Sequence, residues 1–388
     1  MPPLESRAEI VVDLDAIRHN VATLKERVPD ALMMTVVKAD GYGLGLVESA
    51  RAARAGGADW LGVAVLEEAV ALRAAGDSGP VLAWLAVPGE DYTPAVRHGI
   101  DVTAYSVGEL AEIAAAARSL GVRARVQLKV DTGLSRGGAT DVLWRGLVEA
   151  AADTEQTGAI QVTGVWSHFA CSDEPGHPSN EAQEKAFTHA LKVVDAVGIE
   201  PEVRHLSNSA GALLRPWSSY DLVRCGIASY GVSPAPDVVS SADLGLVPAM
   251  TARTRLALTK RLPAGAQVSY GHIWTAERDT TVGLVPVGYA DGVPRHASSR
   301  ASVLVAGHRR PVAGRICMDQ FVVDLGDDDV PAGEPVVLFG TGEDGGPTAQ
   351  DWAEACGTIA YEIVTRIGGR FSRRHVSADG PAEGRLGS

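Results

Sequence analysis

The chain of 388 residues is 46% hydrophobic and 21% charged, the composition of an ordinary soluble protein long enough for one large domain and a second. Its 35 basic against 48 acidic residues give a formal charge of −13, which repels nucleic-acid phosphates and anionic lipid, and no basic patch overrides it. Cys171, Cys225, Cys317 and Cys356 lie far apart with no CxxC pair, so neither a disulfide framework nor a metal site is expected.

The opening segment MPPLESRAEIVVDLDAI has no basic region running into an apolar one, and no run of about 18 apolar residues follows anywhere, so the reading is a cytoplasmic protein with no membrane span. Short apolar runs then appear at MMTVVKA, WLGVAV, VLAWLA, DVTAYS, RVQLKV, QVTGVWSHF, VRHLSN and LVRCGI, most of them separated by amphipathic stretches such as EEAVALRAAG and GELAEIAAAARSL. Near-continuous apolar strands alternating with helices predict a parallel sheet covered on its outer face. Eight such units point to a closed (β/α)8 TIM-type barrel over residues 1–235, with an open doubly wound sheet as the other architecture the alternation allows. From residue 236 to 388 strands follow one another without helices, in ARTRLALTKRL, TTVGLVPVGYA, ASVLVAG, RRPVAGRICMDQFVVDL and EPVVLFG, which predicts a mainly β second domain. SPAPDVVSSADLG reads as the linker, and the closing SADGPAEGRLGS has the composition of a frayed tail.

Barrels of this kind carry their chemistry at the C-terminal ends of the strands. Lys38 stands there after the first strand, in TVVKADGYGLG. Lys129, Asp131 and Arg136 follow the fifth, His168 the sixth, His205, Asn208 and Ser209 the seventh, and Arg224 with Gly226 the eighth. A lone strand-end lysine more often snorkels to solvent. Here, though, several polar groups share one mouth. A lysine amine partly desolvated and near other cations loses its proton readily and adds to an aldehyde, while SNSAG and GIASYG offer a hydroxyl and backbone N–H groups that a phosphate can approach. Together they suggest pyridoxal phosphate.

Several strings, in order along almost the whole chain, resemble the bacterial alanine racemase family: EIVVDLDAIRHN, VVKADGYGLG, KVDTGLSRGG, WSHFACSDE, HLSNSAGAL, DLVRCGIASYGVSP, QVSYG, VPVGYADGVPR and GRICMDQFVVDL. The lysine loop departs from the family pattern, which more often has Asn, Ala and His where this chain has Asp40, Gly41 and Leu44. Those differences bear on local packing and reactivity and leave Lys38 and Tyr42 in place.

The resemblance implies a pyridoxal-5′-phosphate enzyme that interconverts L- and D-alanine and supplies D-alanine for peptidoglycan. On it, Lys38 would hold the cofactor, Tyr42, Ser209, the backbone at Gly226 and Ile227, and Tyr361 would bind its phosphate, and His168 would lie against its ring. Arg224, oriented by His205, would meet the ring nitrogen. Being always protonated, an arginine leaves that nitrogen deprotonated and weakens the electron sink, which restrains transamination. Tyr270 would be the second base opposite Lys38, with Arg295 a contributor to its phenolate form. Arg136 would lie near the substrate carboxylate, and Lys129 corresponds to a family lysine that is carbamylated. Met318, Asp319 and Tyr289 would form a narrow entrance favouring a methyl side chain. The resemblance also implies a homodimer whose second domains complete each other's active sites. A broad-specificity amino-acid racemase, a barrel decarboxylase and a non-catalytic cofactor-binding barrel are the alternatives.

Overall fold

Residue 4 and residues 6–378 are described in the structure, a computed structural model, so all but Ser377 and Ala378 of the expected tail lies outside the described residues. The eight apolar runs each form a strand: β2 (Leu32–Val36), β3 (Trp60–Val63), β4 (Val81–Ala83), β5 (Asp101–Ala104), β6 (Ala124–Lys129), β7 (Ile160–Trp166), β8 (Val203–His205) and β9 (Leu222–Cys225). They make one parallel sheet in the order β8-β7-β6-β5-β4-β3-β2-β9. Two backbone bonds close the seam, from Asp221 N to Arg204 O and from Arg224 N to Ser207 O, both 3.0 Å. The result is a barrel.

Strand alternation sorts the side chains. Met34, Trp60, Leu82, Trp166, Val203 and Leu222 pack together as a cluster inside the barrel, whereas Met33, Leu61, Val81, Val102, Val126 and Val223 join the larger core beneath the helices. The helices start and stop where local chemistry dictates. Ser106 accepts a hydrogen bond from Glu109 N (3.2 Å) to begin Val107–Leu120, and Gly121, at φ 66°, ends it.

The first strand of the chain, β1 (Ala8–Asp13), is not a barrel strand. It runs antiparallel to β10 (Met250–Arg255) and parallel to β19 (Ser372–Val376), so residues 8–13, counted with the barrel in a division at 235, are hydrogen-bonded into the second domain. That sheet has the order β16-β15-β18-β10-β1-β19, with β15 at Ser302–Val305, β16 at His308–Pro311 and β18 at Pro335–Phe339. Beside it lie a three-stranded sheet, β11 (Leu258–Leu262), β14 (Thr280–Val285) and β17 (Phe321–Gly326), and the short pair β12 (Gln267–Val268) and β13 (Trp274–Thr275). Buried Glu9 and Arg253 pair across β1 and β10 at 2.7 Å. Two helices, Ala349–Cys356 and Ala360–Arg366, interrupt the β pattern, the first opened by a reciprocal cap between Thr348 and Asp351. Among the described residues no helix is long and apolar enough to cross a membrane.

Candidate active site

Lys38 follows β2 directly and opens a turn that winds against the preference of L-residues: Ala39, Asp40, Gly41 and Tyr42 have φ of 53°, 54°, 62° and 56°. Each non-glycine residue so placed costs roughly 1–2 kcal/mol, and such strain persists only where surrounding contacts over-determine it. Here they do. Gly41 N donates to Val37 O (2.8 Å), Gly43 N to Ala39 O (3.0 Å) and Gly45 N to Asp40 O (2.8 Å), while Ala39 N donates to Glu68 Oε1 (2.6 Å) and Leu46 N to Asp40 Oδ1 (2.8 Å). The turn fixes Lys38 at the rim of a cavity of about 870 Å³ in the barrel mouth, a size suited to a cofactor with a small substrate.

The DTGLSRGG segment after β6 brings a second set of groups to this rim. Asp131 Oδ1 accepts from Gly133 N (2.9 Å) and Ser135 N (3.0 Å), folding the loop that carries Arg136 back over the strand end. Asp131 is therefore a loop organiser. Arg136, Lys129, Lys38 and Arg224 all line the cavity, and their mutual repulsion compounds burial. Burial first and Arg136 second lower the Lys38 ammonium below its ordinary range. Lys129, whose Nζ lies 4.2 Å from the Trp166 ring centroid, is pushed down to about 7 by burial, then by Arg224 and Arg136. A cavity that gathers four cationic groups calls for an anion.

Arg224 projects from β9 and is enclosed by acceptors. It donates to His205 Nδ1 (3.0 Å), His168 Nδ1 (3.0 Å), Ser167 O (2.8 Å) and Leu206 O (3.0 Å). Burial lowers it to about 9, which still leaves it a cation at neutral pH. Because a guanidinium only donates, both histidines must present an unprotonated Nδ1 to it. Burial and the same arginine hold both rings well below the ordinary histidine range, so they are neutral.

Hydroxyl groups line another part of the cavity. Gly226 N donates to Ser209 Oγ (2.9 Å), which leaves the serine's own proton free to be given elsewhere. Gly226 must be glycine: a Cβ there would fall 2.3 Å from Tyr42 Oη. Tyr42 packs on Tyr230 with ring centroids 4.9 Å apart, and Tyr361 reaches the same cavity from the helix Ala360–Arg366 of the second domain. Burial raises both phenols far above their usual range, so they remain donors.

Of the residues singled out in the sequence, Lys38, Tyr42, Lys129, Arg136, His168, Ser209, Arg224, Gly226, Ile227 and Tyr361 line this one cavity, and His205 stands directly behind Arg224. Tyr270, Tyr289, Arg295, Met318 and Asp319 do not line it. They belong to loops of the second domain, with Tyr270 73%, Met318 53% and Tyr289 40% exposed. Hydrogen bonds hold these loops to one another: Tyr289 N donates to Cys317 O and Ala290 N to Met318 O, each at 3.0 Å, and Ser269 Oγ donates to Arg315 O (2.7 Å). Arg315 lies beside the Tyr270 turn, its Nη1 3.0 Å from where a Cβ on Gly271 would stand. Asp319 is held by Arg370 at 2.7 Å.

Residues 12–234 match the family model described as "Alanine racemase, N-terminal domain", and residues 249–375 the one described as "Alanine racemase, C-terminal domain". This chain belongs to the alanine racemase family. An alanine racemase of Frankia casuarinae is 54% identical over 370 residues, covering 95% of this chain and 96% of that protein, and one of Streptomyces coelicolor is 54% identical with 96% of each covered. The crystal structure of the alanine racemase from D-cycloserine-producing Streptomyces lavendulae superposes with a TM-score of 0.95 at 53% identity, covering 96% of this chain and 98% of that one. The alanine racemase fold and isomerase class are thereby those of this chain. Within this chain, sequence reasoning passed over Trp84 and Trp166, whose rings lie beneath Lys38 and Lys129, and the buried Gln127 and Asp101 behind His205. The tryptophans stood in the strand runs VLAWLA and GVWSHF, where they read as core.

Proposed function

We propose that the chain interconverts L- and D-alanine with pyridoxal 5′-phosphate held in this cavity, using Lys38 and the Tyr270 of a second copy as its two bases, and so supplies D-alanine for peptidoglycan. The observation that carries the reading is the convergence, in one cavity, of an easily deprotonated lysine, three hydroxyl donors around Gly226, and an arginine fixed by acceptors.

The residues present fit that cofactor. Ser209, Tyr42, Tyr361 and the backbone at Gly226 and Ile227 would donate to its phosphate, and the Gly226–Tyr42 contact leaves no room there for a side chain. His168, neutral and fixed through Nδ1, would face the ring, and Lys38 would anchor the aldehyde carbon. When bound, the cofactor supplies an electron sink for negative charge at the amino acid's Cα.

Lys38, its ammonium destabilised by burial and Arg136, removes or returns the Cα proton on one face. Tyr270 of a second copy does so on the other face, which explains a base that stands exposed and outside its own chain's cavity. Arg224, still a cation at neutral pH and able only to donate, would offer an N–H to the cofactor's ring nitrogen and so leave that nitrogen unprotonated. Lys129 carries a free amine near neutral pH. Its nitrogen adds to the carbon of carbon dioxide and releases one proton, and the resulting carbamate anion relieves the crowding of cations and orients Arg136 toward the substrate carboxylate. Met318, Tyr289 and Asp319 of the second copy narrow the entrance and favour a methyl side chain, and Arg295 contributes to the phenolate form of Tyr270.

The test is D-alanine formation from L-alanine by the purified protein reconstituted with pyridoxal phosphate, with serine, lysine and arginine as competing substrates. No conversion of alanine, or faster conversion of the larger substrates, would overturn the reading.

A further inference from the structure

The interior of the barrel carries a line of buried polar groups that reaches well beyond the cavity. From Arg224 on β9 it passes to His205 on β8 (3.0 Å to Nδ1), from His205 Nε2 to Gln127 Oε1 on β6 (2.7 Å), and from Gln127 Nε2 to Asp101 Oδ1 on β5 (3.4 Å). Asp101 in turn accepts from Thr163 Oγ1 on β7 and from Arg125 Nε (2.8 Å), and Arg125 ends the line at the solvent-facing carboxylate of Glu202 (3.0 and 2.7 Å). His205, Gln127 and Thr163 are wholly buried and Asp101 is 1% exposed. Such burial in a barrel core is expensive unless every group is satisfied, and apolar side chains of the same size would have filled the space without that requirement.

Chain geometry has been bent to build it. The pairing of β6 with β7 shifts register between Val126 and Gln127, so that Val126 faces Val162, Gln127 faces Gly164, and Thr163 is left over as a bulge. The bulged Thr163 reaches Asp101, and Gly164 leaves room for Gln127, whose Cδ would lie 2.7 Å from a Cβ at that position. His205 is further held flat against Trp166, with centroids 5.6 Å apart and 4° between the planes.

The line has a fixed direction because its ends have opposite chemistry. A guanidinium can only donate and a carboxylate can only accept. Arg224 therefore requires His205 Nδ1 to be an acceptor, which puts the ring proton on Nε2. That proton needs an acceptor, and Gln127 offers its carbonyl oxygen only because its amide nitrogen is engaged by Asp101. Were the Gln127 amide to reverse, it would present N–H groups to Nε2, the ring proton would move to Nδ1, and Arg224 would face a donor.

We propose that Asp101 and Gln127 are positioning residues for the racemase reaction: Asp101 sets the orientation of the Gln127 amide, which sets the tautomer of His205, which keeps Arg224 aimed into the cavity. The catalytic consequence rests on the role given to Arg224 above, whereas the tautomer consequence does not.

The experiment is ring-nitrogen NMR on protein labelled with 15N-histidine, recorded with pyridoxal phosphate bound and after its removal, the His205 signals being identified by their loss in His205→Gln. Wild type should show His205 with a protonated Nε2 and a bare Nδ1 in both states. Asp101→Asn, whose amide can face Gln127 with either atom, should populate the Nδ1–H tautomer and lower kcat roughly tenfold, about 1.4 kcal/mol in barrier, with KM changed less than twofold. Should Asp101→Asn fail to fold, Asp101→Leu, of similar size and unable to accept from Gln127 Nε2, frees the amide to reverse and carries the same expectation. A soluble variant of either kind in which His205 keeps the Nε2–H tautomer would overturn the proposal. So would a tautomer change with kcat unaltered in an enzyme that racemises alanine. Loss of racemase activity in the wild type itself would instead count against the function, and leaves the tautomer readout standing.

Discussion

Arg373 places its Nη2 2.7 Å from Asp40 Oδ2, joining the strand at the edge of the second sheet to the left-handed turn that carries Lys38. Other contacts from that domain press on the same turn. His375 Nε2 meets Leu44 O at 2.7 Å, and a Cβ on Gly43 would fall 2.8 Å from Val364 O. The positions at which this chain departs from the family's lysine loop thus have local reasons. Asp40 has an arginine to pair with, Gly41 sits at φ 62° where a Cβ would come 2.7 Å from Ser49 Oγ, and Leu44 is fully buried.

Asp40 is accordingly a graded test of how the turn is held. Asparagine keeps an oxygen for Leu46 N and tolerates positive φ, so Asp40→Asn loses only a partly exposed ion pair, less than about 1 kcal/mol. Leucine loses the oxygen as well and resists the left-handed conformation, so Asp40→Leu should cost on the order of 2–3 kcal/mol and lower activity more than Asp40→Asn does. Urea denaturation of the two variants checks the order. Equal losses would show that Asp40 serves Arg373 alone.

Lys129 gives a stability prediction whose sign can be worked out. Its ammonium is lowered from 10.5 to about 7 in the folded chain, so between those values the unfolded chain holds a proton that the folded chain does not. Unfolding free energy therefore rises with pH across that window, and below about 7 the destabilisation is complete. In buffer purged of carbon dioxide, Lys129→Met should be more stable than wild type at pH 6, with the difference shrinking toward pH 10. Thermal melts across the range measure it. Bicarbonate should stabilise wild type near pH 8 and leave Lys129→Met unchanged, and a carbamate 13C signal should appear only in the former.

Arg224→Glu tests the electronic role of the arginine. A carboxylate at that position accepts where the guanidinium donated, so it would favour a protonated ring nitrogen. It also confronts His168 Nδ1 and His205 Nδ1 with an acceptor, which drives both rings to the other tautomer or to the charged form. Racemisation should fall by 100-fold or more, a loss of about 2.7 kcal/mol in barrier, while the share of turnovers ending in transamination rises. An unchanged partition between the two outcomes would remove the role argued for Arg224.

How much of this was legible in the sequence depended on distance along the chain. Every barrel strand announced itself, since a strand buried on both faces is apolar throughout and its neighbours follow at regular spacing. The strand-end rule then found Lys38, Lys129, His168, Ser209 and Arg224 together. It could not find Gln127 or Asp101, which sit within strands, where polar side chains facing a barrel interior look like ordinary alternation. Nor could it assign β1: EIVVDLDAI reads as a strand, but nothing local says that its partners lie more than 230 residues away at Met250–Arg255 and Ser372–Val376. The helix Ala349–Cys356 did carry a signal, Thr348 with Asp351 three residues on and Gly357 at the far end, that the β-rich surroundings obscured.

The exposure of Tyr270, at 73%, against the half-buried position of Lys38 in its own barrel mouth gives the sharpest expectation about assembly. A phenol serving as a base must reach the cavity, and in one chain it does not line it. A closed twofold dimer would bring the second domain of each copy over the other's barrel, each site then taking Lys38 from one chain and Tyr270 from the other. Lys38→Ala and Tyr270→Phe should each be nearly inactive, the first without its cofactor anchor and both without one base. When the two variants are unfolded and refolded together, random pairing makes about half of the dimers mixed, and each mixed dimer holds one site with both residues intact, so roughly a quarter of wild-type activity should return. Variants refolded separately and then combined give the baseline. If Lys38 and Tyr270 of a working site belonged to the same chain, every site in the mixture would stay defective, and activity no higher than that baseline would exclude the shared-site arrangement.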